Sequence, residues 1–346
     1  MIKELTNQFP SVQGFVISNP ADVFYLTGFY CVDCLVLYSD DSVLVTDSRY
    51  TVAAKEASCR TEIVAGDYVQ GIIDQAKKQG LTTLGIQEDY LTAADYVKLT
   101  EAGFTLMETK GAFTSLRASK TPQEIEKISA AQKITDKAFE NILDFIRPGV
   151  TEKEVRARLE YLMFSYGADG IAFETIVASG ANGAKPHAVP SDKVIKEGEF
   201  VTLDFGARLN NYDSDMTRTV AVGEVSREME KIYFAVLEAH KRGAQALKAG
   251  VECSYADSCA RKYLESVGLG DFFSHSLGHG VGIEIHESPR LSKVSKDILK
   301  VGDVVTVEPG VYLEGFCGVR IENMFVITRD GAIDLTASDK NLIKLI

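Results

Sequence analysis

Along the first third of the chain, apolar positions come in short alternating runs separated by stretches of helical spacing. GFVIS (residues 14–18) is a brief apolar run, and CLVLYSDDSVLVTDS (34–48) reads as two strands turning at Asp40-Asp41. TEIVAG, TLGIQE and FTLMETK are further strand candidates. Between the first two, Val69, Ile72, Ile73 and Ala76 recur at helical spacing. The pattern predicts an α/β domain with a mixed sheet over residues 1–118.

A boundary follows in RASKTPQEIEKI. Thr121 is a natural N-cap, Pro122 suits the first helical position and Glu124 closes a capping box. The helix begun there is expected to run toward Ile146 and stop before Pro148-Gly149. Residues 119–346 form the second predicted domain.

That domain contains a duplication. KEGEFVTLDFG (196–206) matches KVGDVVTVEPG (300–310) at an offset of 104, and IRPGVTEKE (146–154) resembles LKAGVECSY (247–255) at an offset of 101. After each of the latter comes a helical pattern: Val155, Leu159, Leu162 and Tyr166 in one copy, Ala256, Ala260, Tyr263 and Val267 in the other. Each copy therefore reads helix, turn, helix, then strands. Two copies are too few for a solenoid and predict a pseudo-two-fold domain.

The matched strands each deliver an acid, Asp204 in VTLDFG and Glu308 in VTVEPG. A second acid follows each, Asp215 in YDSDMTRT and Glu322 in GVRIEN. The surroundings have the composition of buried strands, where a carboxylate is costly unless paired or bound to metal. Arg218 and Arg320 lie nearby, but two cations do not neutralise four anions. With one imidazole added, such an oxygen-rich set suits Mn²⁺, Co²⁺, Fe²⁺ or Zn²⁺, and bridging carboxylates favour a pair of ions.

Three of the five histidines, His275, His279 and His286, fall in HSLGHGVGIEIHE. A helix would put them on one face, yet Gly278, Gly280 and Gly282 disfavour a helix, and no HExxH is present. In an extended segment, residues four apart lie roughly 13 Å from one another and cannot share an ion. One histidine is therefore expected on metal while the others serve a substrate. His240, in LEAHKRG, is expected to be structural or exposed.

Composition narrows the class further. With 346 residues the chain can bury about three quarters of its unfolded surface. A net charge of −12 provides no basic field for nucleic acid or an anionic membrane. No signal-peptide core or 18-residue apolar run is evident, which makes a cytoplasmic protein the expectation. Cys31 and Cys34 form a lone CxxC, read as two small residues entering a strand.

The ordered set Asp204, Asp215, His279, Glu308 and Glu322, in LDFG, SDMTRT, LGHGVG, VEPG and RIEN, resembles the pita-bread metallopeptidases, above all the Xaa-Pro peptidases (aminopeptidase P and prolidase). NPADVFYLTGF and VTDSRY resemble that family's N-terminal domain. The fold implied is an α/β N-terminal domain plus an α+β pita-bread catalytic domain with an internal pseudo-two-fold duplication. The resemblance further implies two divalent ions per chain, Mn²⁺ foremost, with Co²⁺, Fe²⁺ or Zn²⁺ as alternatives. His279 and Glu308 would hold one ion and Asp204 the other, with Asp215 and Glu322 bridging.

By the same resemblance, an ion-activated hydroxide attacks the bond before proline in short peptides with proline second. Glu308 shuttles the proton, His187 and His286 stabilise the tetrahedral intermediate, His275 contacts substrate, and Arg320 matches as well. A homodimer is the implied assembly. A methionine-aminopeptidase-like enzyme would share the five ligands but not an N-terminal domain of this size. A creatinase-like amidinohydrolase, or a non-catalytic binding module of the same fold, would have lost ligands. Dipeptidase and aminopeptidase stay open at this point.

Overall fold

The alternation read from the first third of the chain becomes a six-stranded sheet. A computed structural model describes residues 2–345, and the chain divides into two units, residues 1–117 and 118–346. In the first, β1 (Gly14–Ile17), β2 (Cys34–Tyr38), β3 (Val43–Asp47), β4 (Arg60–Val64), β5 (Thr83–Ile86) and β6 (Thr105–Glu108) stand in the order β4-β3-β2-β1-β5-β6. The sheet is mixed: β1–β2 and β2–β3 are antiparallel, and the remaining pairs are parallel.

Period-two alternation sends Phe15, Ile17, Val36 and Leu44 to one face and Val16, Leu35, Leu37, Val43 and Val45 to the other. Helices α1 (Ile2–Gln8), α2 (Pro20–Thr27) and α5 (Ala112–Ala118) cover the first face through Leu5, Val23 and Phe113. Val69, Ile72, Ile73 and Ala76 of α3 (Tyr68–Lys78) and Leu99 of α4 (Ala93–Glu101) cover the second. Each such aliphatic side chain contributes about 1.5–3 kcal/mol by leaving water. Cys34 opens β2 and Cys31 lies just before it; both are buried and in no disulfide, and the Cys34 thiol donates to Cys31 O at 3.4 Å.

In the second unit, α6 (Pro122–Ile142) begins with the expected capping box of Thr121 and Glu124. It stops at Ile142, short of Ile146. The chain tightens there, with Phe145 N–H donating to Ile142 O at 2.9 Å, and the coming Pro148 disfavours helix at Arg147. Then follow α7 (Glu152–Ser165), β7 (Gly170–Ile171), β8 (Ile176–Ser179), β9 (Glu199–Phe205), β10 (Ala207–Leu209), β11 (Tyr212–Asp213) and β12 (Met216–Val222).

The second copy supplies α8 (Arg227–Gln245), α9 (Cys253–Ser266), β13 (Gly278–Gly280), β14 (Glu287–Leu291) and β15 (Val304–Val307). It continues with the hairpin of β16 (Gly310–Leu313) and β17 (Cys317–Arg320), then β18 (Asn323–Ile327), β19 (Ala332–Asp334) and β20 (Lys344–Leu345). The two larger sheets run β20-β12-β9-β8 and β14-β13-β15-β18-β19. Strand β8 thus corresponds to β13, β9 to β15 and β12 to β18.

Individual hydrogen bonds repeat with the elements. Gly149 N–H reaches Ile195 O at 3.1 Å, and Gly250 N–H reaches Leu299 O at 2.8 Å. Gly198 N–H meets Val222 O, and Gly302 N–H meets Ile327 O. Both of the last two glycines hold a left-handed φ, +81° and +91°, a turn that side chains resist. One apolar cluster gathers α6 and α7 on the first copy's strands, and the other gathers α8 and α9 on the second copy's strands together with Phe200 and Ala221 of the first. Among the described residues, no helix is long and apolar enough to cross a membrane.

His240 lies on α8 and is 1% exposed, its ring beside that of Phe325. Neither ring nitrogen has a hydrogen-bond partner among the described residues. Burial pushes its pKa well below the usual histidine value, so it stays neutral. A buried unsatisfied polar group costs about 1–3 kcal/mol. His240→Phe should therefore raise the melting temperature. The folded pKa is the depressed one, so the unfolded chain takes the proton first, and this group's share of stability is lost as pH falls below about 6.5. The gain from His240→Phe should accordingly be larger at pH 5.5 than at pH 7.5. Thermal unfolding at both values checks this, and a variant less stable than the parent at both would refute it.

Candidate metal centre

The duplication sets the frame of the candidate centre and two of its four acids, but not the other two. In the first copy Asp204 on β9 pairs with Thr217 on β12. In the second, β15 and β18 pair as far as Val307 with Asn323, and the same register puts Glu308 opposite Glu322. Asp204 and Glu308 are therefore equivalent. Glu322 corresponds to Thr217, and Asp215 corresponds to Arg320. The third and fourth acids sit at non-equivalent positions, which makes an asymmetric cluster on a symmetric scaffold.

His279 is the middle residue of β13, which runs between β14 and β15. A Cβ on Gly278 would stand 2.0 Å from Thr306 O, and one on Gly280 would stand 2.3 Å from Ser288 O. Only glycine allows this close passage. Alternation along the strand then turns His279 away from both contacts.

Its Nδ1 lies 3.1 Å from Gly280 O. A nitrogen facing a carbonyl is the protonated one, which leaves the Nε2 lone pair free. That atom stands 3.3 Å from Glu308 Oε1 and 3.5 Å from Asp215 Oδ2. Donor atoms of Asp215, His279 and Glu322 all lie within 4.8 Å of one another. Thr217 Oγ1 donates to Glu322 Oε2 at 2.7 Å, and Thr306 Oγ1 donates to Glu308 Oε1 at 3.4 Å.

Asp204 is held by Arg320 Nη2, while its Oδ1 is buried without a partner among the described residues. Arg218 serves none of the four acids' carboxylates; its guanidinium donates to Thr217 O, Glu322 O, Ser338 O, Asp339 O and Asn323 Oδ1. Arginine pairing thus answers one acid of four.

Burial pushes the Asp215 and Glu308 carboxyls well above their usual range, and the charge of Glu322 adds to the effect on both. Glu322 rises to about 8, from burial and then Asp204. His279 falls to about 3, mainly by burial, and is neutral. An orphaned carboxylate oxygen, a free imidazole lone pair and carboxyls that ionise unwillingly fit divalent cations. Asp204, Asp215, His279, Glu308 and Glu322 are the residues that could hold them.

The remaining candidate residues surround this cluster on a cavity of about 800 Å³. His187 and His286 are exposed on its wall. The segment carrying the three histidines is not extended throughout: β13 and β14 pair antiparallel, Gly280 opposite Glu287, so the chain reverses between them. The His286 ring consequently stands 4.4 Å from that of His279, edge to face, rather than a strand's length away.

His275 donates from Nδ1 to Ser276 O at 2.8 Å and accepts at Nε2 from the Tyr312 hydroxyl at 2.9 Å. Both nitrogens are taken, and burial lowers its pKa to about 4. Tyr312 in turn accepts from Arg320 Nη1 at 2.6 Å. A polar chain thus runs from His275 through Tyr312 and Arg320 to Asp204. Tyr312 is the functional candidate that sequence reasoning missed; its position four residues after Glu308, on the hairpin next to the ligand strand, was the available signal.

The sequence matches metallopeptidase family M24 over residues 126–329 and the Creatinase/Prolidase N-terminal domain over residues 7–119. The chain is 38% identical to an Xaa-Pro dipeptidase of Pyrococcus furiosus, covering 96% of both proteins. A solved Xaa-Pro dipeptidase from Bacillus anthracis superposes with a TM-score of 0.96 at 42% identity, covering 99% of each chain. An X-Pro aminopeptidase from Thermotoga maritima gives 0.91 at 37%, covering 98% of this chain and 99% of the other.

The raised carboxyls fix a pH dependence. For Glu322 the folded value, about 8, lies above the unfolded one, so in ion-free protein its contribution to stability is complete below about 4.5 and is lost as pH rises through about 8. Cation binding removes that repulsion and displaces protons. Saturating Mn²⁺ should therefore raise the melting temperature more at pH 8 than at pH 6. Thermal unfolding with Mn²⁺ or with chelator at both values is the measurement, and equal shifts would contradict the assignment.

Proposed function

The chain belongs to metallopeptidase family M24, and on that premise we propose that it is an Xaa-Pro dipeptidase cleaving the bond before proline in short substrates. The reading rests on the convergence of four carboxylates and one neutral imidazole in a cavity rimmed by histidines. Asp204, Asp215, His279, Glu308 and Glu322 would hold two divalent ions, Mn²⁺ foremost because oxygen donors dominate. When bound, the ions would supply an activated water and polarise the scissile carbonyl.

The chain's own groups do the rest. Gly280 O fixes the His279 tautomer that leaves the Nε2 lone pair free, the atom that would hold an ion. Glu308 carries the proton from the attacking water to the proline nitrogen. His286 and His187, on the cavity wall, donate to the oxygen that gains charge. Arg320 and Tyr312 orient Asp204, and His275 anchors Tyr312 rather than offering a ring nitrogen to substrate. A second reading, X-Pro aminopeptidase, is favoured by the likeness to the Thermotoga enzyme.

Mn²⁺-loaded protein should hydrolyse Ala-Pro faster than Ala-Pro-Ala; cleavage of the tripeptide alone would decide for the aminopeptidase, and cleavage of neither would end the proposal. In the same assay, His279→Ala should lose one of two ions along with activity. His286→Ala should keep both yet lose rate on the order of 10²-fold, as removal of an oxyanion donor does. Elemental analysis of each variant separates these cases, and equal metal loss in both would be inconsistent with divided roles.

A cytoplasmic homodimer completes the proposal, motivated by an N-terminal unit that carries no ligand of its own. Light scattering at micromolar concentration should give the mass of two chains, and the mass of one would refute the dimer.

A further inference from the structure

One buried ion pair beside the centre has no part in the chemistry above. Lys120 Nζ stands 2.9 Å from Glu287 Oε2, and the two side chains are 1% and 0% exposed. Burying a lysine and a glutamate together is expensive, and a hydrophobic pair of similar volume is often as stable. Bulk stability therefore does not account for it.

What the carboxylate holds is more specific. Its Oε1 accepts from the backbone N–H groups of both Ile283 and Glu284, at 3.1 Å each. Those residues lie in the reversal between β13 and β14, which ends in His286. A Cβ on Gly282 would stand 2.5 Å from Glu287 Oε2, so the turn wraps directly onto the carboxylate. Lys120 is fixed in its turn, since its N–H donates to Gly302 O at 2.8 Å, on the turn that leads into ligand strand β15. The pair thus ties the His286 turn to the same turn that starts β15, the strand that delivers Glu308.

The geometry points to Lys120 and Glu287 as positioning residues that hold the His286 ring over His279 and toward the substrate cavity. The inference rests on the proposed role of His286. Glu287 acts through these contacts: two backbone N–H groups set the turn's shape, and the ammonium holds the carboxylate in place. Without Lys120, the buried carboxylate loses its charged partner and the turn loosens. Neither residue touches the ions or the bond to be cleaved.

The test uses metal-loaded full-length protein and the variants Lys120→Met, Glu287→Gln, the double variant, and each single combined with His286→Ala. Both singles should keep their metal content and KM while kcat falls roughly 10- to 100-fold, the loss expected when a catalytic group is displaced by about 1 Å. Added to His286→Ala, either substitution should cost little more, because it acts through the same ring. The double variant, with no unpaired buried charge, should melt no lower than the singles and guards against misfolding as the cause.

Unchanged kcat in the singles, or losses that multiply fully with that of His286→Ala, would overturn the inference. Hydrogen exchange at residues 281–287, read without substrate, should quicken in Lys120→Met; unchanged exchange would overturn it as well. An absence of Xaa-Pro hydrolysis by the parent protein would defeat the functional reading, while the exchange measurement still decides the positioning.

Discussion

Repulsion among carboxylates gathered away from water is the constraint to which the catalytic unit answers. Two like charges about 4 Å apart cost on the order of 4 kcal/mol at an effective dielectric of 20. Asp215 and Glu322 are buried, and Asp204 and Glu308 are half-buried beside them. One guanidinium, Arg320, reaches one of the four. An exposed acid would escape by rotating into solvent. Thr217 holds Glu322, Thr306 holds Glu308, Arg320 holds Asp204, and Asp215 is buried, so the strain is relieved by protons or by cations.

The pseudo-two-fold makes that gathering achievable without making it symmetric. Equivalent turns at Gly198 and Gly302 launch equivalent strands, which bring Asp204 and Glu308 to matching places. Equivalence then breaks where chemistry needs it to. Thr217 faces Asp204 where Glu322 would face Glu308, and the hydroxyl bonds across to that glutamate. Asp215 stands where the other copy has Arg320. A strictly duplicated set would have placed either too many anions together or an arginine against each ligand. The histidine comes from the second copy alone, on a strand thinned by two glycines.

Much of this was legible in the chain. Period-two runs gave the mixed sheet, Thr121-Pro122-Glu124 gave the start of α6, and the offsets of 104 and 101 gave the duplicated layout. What stayed hidden were contacts made by chain reversal. Residues 280–287 contain glycine and acids but no short hairpin signature, so His279 and His286 read as far apart, whereas their rings touch. Lys120 drew no reading of its own, because its partner lies 167 residues away. The sequence left His240 open between structural and exposed, since LEAHKRG is mostly polar; its ring faces Phe325, inside.

The same reversal brings a buried carboxylate beside the candidate ligands without joining it to their cluster. Glu287 is an acid beside four others, yet its oxygens accept from Lys120 and two backbone N–H groups. Glu152, fully buried at the start of α7, does the same on the opposite side. It accepts from the N–H and hydroxyl of Ser179, the N–H and hydroxyl of Ser191, and the amide of Asn182, and so gathers the loop that bears His187. Each exposed histidine on the cavity wall thus stands on a loop drawn together by a buried, fully bonded carboxylate. A loop so held loses little further freedom when a substrate arrives, which is the condition under which a single imidazole N–H is worth most to a developing charge. The acids of the unit divide by what reaches them: those with too few donors call for cations, and those with enough of them shape the walls.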